Sequence, residues 1–196
     1  MSTPREPFES EGWHHVFNHA RGNDILFSSE SDYKIFLQLI EKYIDPVAEI
    51  YSYTLLPIHF LTRIKNFPIL EKSKKKNTSD YISHQWGNVQ NTYSKKKNYK
   101  SGKRGGIFCQ SINRNPINSE EYLQMCIAYI HNNPVKHGFC ISPNNWKFSS
   151  FNTIISNKPT KIKREEVISW FENTNNFVYY HQSKADKIFR EKFKLD

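Results

Sequence analysis

The stretch AEIYSYTLLPIHFLTRIKN, residues 48–66, decides the fold of this chain. Alternating β-branched and aromatic residues on both sides of Pro57 predict two β-strands that meet at a turn. Along the second strand, alternation puts Phe60 and Ile64 on one face of the sheet and His59 on the other. The apolar pair indicates the core face, so we expect His59 to point toward the opposite face, as part of a functional surface.

The segments around these two strands complete an α+β pattern. WHHVFNHA (residues 13–20) is typical of a strand and precedes a glycine turn, RGND. Two segments have apolar residues at helical spacing behind a serine or asparagine cap, SSESDYKIFLQLIEKYI (28–44) and NSEEYLQMCIAYIHNNPVKHG (118–138). The pattern predicts one domain in which helices cover a sheet.

The composition favours an acidic partner. The chain has 28 Lys and Arg residues against 19 Asp and Glu residues, a formal charge of +9, and 15% aromatic residues. Cations displace counterions from phosphates and aromatic rings stack on unpaired bases, so this combination favours a nucleic acid. A basic protein without such a partner is the alternative that composition leaves open.

The densest run of lysines lies between residues 71 and 104 and includes Lys95, Lys96 and Lys97. We predict that these three side chains contact phosphates. The alternative is the exposed, solvated face of a helix near residues 81–93.

The three cysteines form no CxxC pair, which argues against a disulfide framework or a zinc site and favours a reducing cytoplasm. The first residues have neither the charge nor the apolar core of a signal peptide, and no run approaches the length of a membrane span. We therefore expect no membrane association.

A tyrosine and an asparagine stand out on the second amphipathic helix. Its buried stripe is predicted from the i, i+3, i+4, i+7 spacing of Leu123, Cys126, Ile127 and Ile130. Tyr129 lies roughly 120° from the centre of that stripe, and Asn133 follows one turn later. A phenol and an amide are therefore expected together at the helix edge. A surface tyrosine beside a helix-ending asparagine is the alternative.

Six segments, in the same order along the chain, resemble REP-associated tyrosine transposases, relatives of the single-tyrosine HUH transposases of small insertion sequences. The most specific segment is AYIHNNPVKHG (128–138), which resembles the tyrosine-bearing helix of that family. The others are WHHVFNHARGND (13–24), SSESDYKIFLQLI (28–40), YTLLPIHFLTRI (53–64), GGIFCQSINRNPI (105–117) and NNWKFSSF (144–151).

The resemblance implies a ferredoxin-like antiparallel sheet covered by helices over residues 1–157. Residues 158–196 would form a short helical extension packed on the same body. The implied activity is the cutting and rejoining of single-stranded or hairpin DNA through a covalent phosphotyrosine, and a homodimer is implied as well.

The same resemblance assigns roles to site residues. Tyr129 matches the nucleophile, and the ligands of Mg²⁺ or Mn²⁺ match His59, Leu61 and Asn133. Leu61 has no lone pair, so one ligand of the family is missing and the metal is expected to bind weakly. A DNA-binding descendant that no longer cuts is the first alternative, and an RNA-binding protein is the second.

Phosphate contacts are implied at two further places. The turn Arg21-Gly22-Asn23 can offer backbone N–H groups and a guanidinium to a hairpin or phosphate, although an ordinary tight turn is equally consistent with these residues. On the second strand, Arg63 and Lys65 are the other expected phosphate contacts. His15 matches a histidine that is common at that point of the family.

Overall fold

The computed structural model describes residues 6–66, 77–102 and 104–182. The strands are β1 (Trp13–Asn18), β2 (Ala48–Leu55), β3 (Ile58–Ile64) and β4 (Asn113–Ile117). The helices are α1 (Glu30–Tyr43), α2 (Thr78–Ser101), α3 (Glu120–Lys136), α4 (Phe151–Ile155), α5 (Arg164–Ser169) and α6 (Thr174–Gln182), with a 3₁₀ turn at Pro143–Asn145.

The four strands form one antiparallel sheet in the order β2-β3-β1-β4. β2 and β3 are joined by a tight turn at Leu56 and Pro57, as the sequence predicts. β1 lies in the middle of the sheet and pairs with β3 so that His15 is opposite Leu61 and Phe17 is opposite His59. The order of elements and strands is that of a ferredoxin-like α+β fold, which confirms the predicted fold class.

One face of the sheet is covered by α1 and α2. The buried cluster on this side contains Phe60 and Ile64 from β3, Phe36 from α1, and Trp86 and Tyr93 from α2. Phe60 and Ile64 are 0% and 2% exposed, so the prediction that this face forms a core is confirmed. Burial of such large aromatic side chains dominates the stabilisation of this layer.

The opposite face is not an open functional surface, contrary to the expectation from strand alternation. α3 lies across it, and a second buried cluster forms there around Leu61, Ile127 and Ile130. The apolar stripe of α3 needs an apolar partner, and this face of the sheet supplies it. His59 therefore lies within a packed layer, and it is only 6% exposed.

The C-terminal helices contribute to the same second cluster through Val167, Phe171 and Phe177. These side chains are 0–4% exposed. The domain boundary at residue 158 stays a prediction, and residues 183–196 of the predicted extension lie outside the described residues. Within the described ranges, no helix has the length and apolar character needed to cross a membrane.

Candidate active site

α3 carries the predicted nucleophile over the centre of the sheet. The helix begins behind Ser119, whose hydroxyl accepts a hydrogen bond from the Tyr122 backbone N–H at 3.2 Å and so caps the first turn. Tyr129 lies ten residues after Ser119, a little under three turns, and Asn133 follows one turn later, as predicted. Both are buried instead of lying at an exposed helix edge, at 3% and 2% exposure.

The burial of Tyr129 has a clear cause. Although Tyr129 lies outside the predicted apolar stripe, it belongs to the second buried cluster, and its ring packs against residues of β1 and β3.

The phenol ring of Tyr129 lies edge-on to two imidazoles. Its centroid is 5.6 Å from that of His59 on β3 and 5.8 Å from that of His15 on β1. The predicted active site requires the tyrosine of α3 to lie close to the histidine of β3, and the two rings are close in the structure. His15 also belongs to this candidate site, although the alternation of residues along β1 did not predict its position beside Tyr129.

Hydrogen bonds join His15, His59 and Asn133 in a chain. His15 Nε2 is 3.0 Å from His59 Nδ1, and His59 Nε2 is 3.3 Å from Asn133 Nδ2. Burial lowers the pKa of His15 to about 3 and holds the pKa of His59 well below its ordinary value. Both rings are thus neutral at physiological pH. The two ends of the chain, His15 Nδ1 and Asn133 Oδ1, are buried and have no hydrogen-bond partner among the described residues.

The donors at this site fit a weakly held divalent cation. Among the described residues, no group of three or more His, Cys, Asp or Glu side chains could hold a metal. The facing nitrogens of His15 and His59 are hydrogen-bonded to each other at 3.0 Å, so each of these two atoms is already engaged by the other ring. The remaining donors are the Nε2 lone pair of His59 and the unpartnered Oδ1 of Asn133. Leu61 is fully buried in apolar surroundings and adds no donor.

A cation of the protein itself lies beside the phenol. The ammonium group of Lys136 is 5.7 Å from the centre of the Tyr129 ring. Lys136 follows Tyr129 by seven residues, which is two helical turns, and this spacing could have indicated it from the sequence. Its charge is available to compensate the negative charge of a phosphate near the tyrosine.

A cleft of about 490 Å³ opens at the same end of the sheet. It is lined by the end of β1, the turn between β2 and β3, and the segment after α3, with Gly22, Pro57, His137, Phe139 and Trp146 among its residues. Gly22 has φ of +52°, a left-handed conformation that favours glycine. The predicted turn Arg21-Gly22-Asn23 thus lies near the tyrosine site.

Arg63 and Lys65 lie toward the other end of β3. Arg63 is four residues beyond His59, about 13 Å along the strand. Its guanidinium packs over the ring of Trp13 at 5.5 Å, and its Nε donates to the Glu11 carbonyl at 3.3 Å. Lys65 Nζ donates to the Asp45 carbonyl at 2.5 Å. The structure does not bring these two side chains to the tyrosine.

The three predicted lysines of α2 differ in their surroundings. Lys95 and Lys96 are exposed. Lys97 forms an ion pair with Asp32 of α1 at 3.0 Å, and both side chains are largely buried at 16% and 7% exposure. Lys97 thus connects α2 to α1 through this ion pair.

The fold and the site define a ferredoxin-like α+β domain in which a helix-borne tyrosine lies over a strand histidine. Among solved structures, the chain is similar to a REP-associated tyrosine transposase bound to a REP hairpin, with a TM-score of 0.60 and 21% sequence identity. The match covers 81% of this chain and 89% of that chain. No protein-family model and no curated protein sequence matches the chain. The resemblance identified from the sequence is therefore confirmed as a likeness of fold.

Proposed function

We propose that this chain is a transposase-like protein that binds single-stranded or hairpin DNA and cleaves and rejoins it through a covalent bond to Tyr129. The observation that supports this proposal most is the meeting of Tyr129, His59 and Asn133 in one site, at 5.6 Å between the first two rings and 3.3 Å between the second pair. The fold is that of a transposase whose structure contains a REP hairpin.

The proposed reaction is a transesterification. The phenolic oxygen of Tyr129 gives up its proton and attacks the phosphorus of a phosphodiester, forming a new oxygen–phosphorus bond. The bond between phosphorus and the 3′ oxygen breaks, and that oxygen takes up a proton. The phosphotyrosine conserves the bond, so a DNA hydroxyl can reverse the step and rejoin strands without an external energy source. Lys136 would offset the charge that develops on the phosphate.

Mg²⁺ or Mn²⁺ is the proposed cofactor, held by His59 Nε2 and Asn133 Oδ1. When bound, it would supply charge compensation at the scissile phosphate. Two neutral donors alone make a weak site, so phosphate and water oxygens must complete the coordination. The homodimer and the cytoplasmic location remain predictions from the sequence.

A second candidate function is DNA binding without cleavage. The observation that favours it is the full burial of Leu61 at the position of the missing metal ligand, together with the 3% exposure of Tyr129. In this case the His15–His59–Asn133 chain would serve only to join α3 to the sheet.

A covalent-adduct assay separates the two candidates. The purified chain is mixed with hairpin-bearing single-stranded DNA and Mn²⁺, and the products are run on a denaturing gel. We expect a protein–DNA adduct that Tyr129→Phe abolishes and that Tyr122→Phe, a change on the same helix, leaves intact. Hairpin binding without any adduct would favour the second candidate, and absence of DNA binding would contradict both.

A further inference from the structure

With the Asn133 amide oriented so that Nδ2 faces His59, the chain His15–His59–Asn133 has one self-consistent arrangement of protons. The amide nitrogen of Asn133 can only donate, so His59 Nε2, 3.3 Å away, must accept with its lone pair. A neutral imidazole carries one N–H, which in His59 is then on Nδ1. His15 Nε2, 3.0 Å from that atom, must be the acceptor, and the proton of His15 is on Nδ1.

We propose that His15 is a positioning residue that fixes the tautomer of His59. By accepting from His59 Nδ1–H, it keeps the Nε2 lone pair directed at Asn133, where a divalent cation would need it. Partners of this kind, bonded to the second nitrogen of a ligating histidine, orient the ring and hold its tautomer. The tautomer assignment stands on the two hydrogen bonds and on the orientation of the Asn133 amide, whereas its consequence for metal binding rests on the proposed function.

In this arrangement His15 does not take the place of the missing ligand at Leu61, because its Nε2 is hydrogen-bonded to His59. The two rings are nearly parallel, with an interplanar angle of 14°, and their facing nitrogens are already in hydrogen-bond contact. The register explains this arrangement, because His15 lies directly opposite Leu61 and diagonally from His59. His15 therefore contacts His59 through a hydrogen bond, and its proposed role is to position that ring.

Nitrogen-15 NMR of the histidine rings tests the proposal without any metal. We expect the wild-type protein to have His59 protonated on Nδ1 and His15 protonated on Nδ1. His15→Phe preserves a ring at this position but removes the acceptor, so His59 should shift toward the Nε2–H form. His15→Gln, whose side-chain oxygen can accept, should keep the wild-type tautomer. His84→Phe, at an exposed position of α2, is the control.

Metal affinity supplies the second readout. Mn²⁺ titration should give an affinity about tenfold weaker for His15→Phe than for the wild type, the lower end of the effect of such partners. His15→Gln should lie close to the wild type. A wild-type His59 protonated on Nε2 would overturn the proposal, and so would a His15→Phe protein with unchanged tautomer and Mn²⁺ affinity. If the wild-type protein binds no Mn²⁺, the proposed cleavage chemistry is contradicted. The proposal about the His59 tautomer is then decided by the NMR measurement.

A different part of the surface carries a second inference. A cleft of about 690 Å³ lies between the C-terminal part of α2 and the glycine-rich segment that follows it. Its lining includes the cations Lys95 and Arg104, and none of its described lining residues is acidic. Tyr99 borders the cleft and is 91% exposed, although tyrosine rings are usually at least half buried.

Hydrogen bonds hold this cleft together and connect it to the tyrosine end of the sheet. Asn98 Nδ2 donates to the Gly105 carbonyl at 2.6 Å, which fastens the glycine segment to α2. The Arg21 N–H donates to the Ile107 carbonyl at 2.9 Å, which fastens the same segment to the turn after β1. A strand of DNA at the tyrosine site could therefore continue past Arg21 into the cleft.

We infer that this cleft binds an unpaired, single-stranded flank of the DNA substrate, with a base stacked on Tyr99 and phosphates beside Lys95 and Arg104. An exposed ring next to cations is the pairing that proteins use for single strands, because an unpaired base offers its flat face. A duplex keeps its bases stacked on each other and has no free face for Tyr99. This inference deepens the proposed function and depends on it.

Fluorescence anisotropy with two matched DNAs tests the site. One is a hairpin with an unpaired tail of about ten nucleotides, within the size of single-strand sites, and the other is the same hairpin without the tail. Tyr99→Ala should weaken binding of the tailed hairpin about tenfold, the order expected for one stacked base, and leave the tail-less hairpin unchanged. Tyr99→Trp should retain tailed binding. Tyr179→Ala, at a 73% exposed tyrosine of α6, is the control and should have no effect.

The outcomes separate this inference from the proposed function. If the wild-type protein binds both hairpins with the same affinity, the inferred single-strand site is overturned, but the proposed function is not. Equal loss for both DNAs in Tyr99→Ala would overturn it as well. Failure of the wild type to bind either DNA would contradict the proposed function itself.

Discussion

At the scale of single residues, the candidate site depends on which side chain each strand places beneath Tyr129. β3 supplies His59, and two residues further on it supplies Leu61 on the same face. The antiparallel neighbour β1 supplies His15 opposite Leu61. The site therefore still contains two imidazoles, but only one of them, His59, has a lone pair directed at Asn133.

Leu61→His tests whether the missing imidazole can be restored. We expect tighter Mn²⁺ binding, because a histidine on the same strand face as His59 adds a donor. We also expect the free energy of unfolding to fall by roughly 2 kcal/mol, because a polar ring replaces a fully buried leucine. Isothermal titration and urea unfolding measure the two effects. Leu61→Met, which preserves the volume, is the control and should change neither by much. Unchanged Mn²⁺ affinity in Leu61→His would favour the binding-only function.

At the scale of elements, a second histidine pair joins α6 to the core. His131 of α3 and His181 of α6 are 2.9 Å apart between Nδ1 and Nε2, and the other nitrogen of His131 is 2.7 Å from the hydroxyl of Ser150. His181 Nδ1 donates to the Phe177 carbonyl at 2.7 Å. With both rings neutral, donation by His181 Nδ1 makes His181 Nε2 the acceptor and His131 Nδ1 the donor.

This pair predicts an acid-sensitive attachment of α6. Burial lowers the pKa of His181 to about 4 and holds the pKa of His131 well below its ordinary value. Between pH 6.5 and 4, the unfolded chain binds protons at these two rings that the folded chain does not bind. The free energy of unfolding therefore falls as the pH falls through this window, by up to about 1.4 kcal/mol per pH unit for each ring. Above pH 6.5 the two rings do not change the free energy of unfolding.

Urea unfolding at pH 7 and pH 5 measures this dependence. His181→Phe should be less stable than the wild type at pH 7, since His131 loses its partner, but it should lose less stability on acidification. His84→Gln, at an exposed histidine of α2, should behave like the wild type. If the free energy of unfolding falls equally between pH 7 and pH 5 in His181→Phe and the wild type, His181 does not contribute to the pH dependence.

Local patterns in the sequence predict elements better than they predict contacts between them. The β2–β3 pair follows from alternation around Pro57, and the pairing of Tyr129 with Asn133 follows from helical spacing. The bond between His15 and His59 joins residues 44 apart and depends on strand register, which no local pattern encodes. Likewise, Tyr129 is buried against His15 of β1 and His59 of β3, far away in the sequence, so its burial was not predictable from the helix alone.

At the scale of the whole molecule, the formal charge of +9 is not evenly available to a partner. Some lysines are engaged in ion pairs with the fold, such as Lys161 with Asp45 at 3.2 Å and Lys163 with Glu49 at 2.7 Å. Exposed pairs of this kind contribute little to stability, but they reduce the local positive potential. The cleft beside Tyr99 has cations without acidic neighbours among its described lining residues, so we expect the DNA-binding surface to include it.

Lys95 and Lys97 provide a matched test of this distribution, because either change to glutamine removes one charge from the same helix. Lys95 is exposed and lines the cleft, so Lys95→Gln should weaken DNA binding and reduce the slope of log affinity against log salt by about one, with unchanged stability. Lys97 is paired with Asp32, so Lys97→Gln should leave that slope nearly unchanged and lower the free energy of unfolding by roughly 2 kcal/mol. Fluorescence anisotropy at several salt concentrations and urea unfolding measure both quantities. Equal salt slopes in the two variants would mean that total charge, and not the position of Lys95, governs binding.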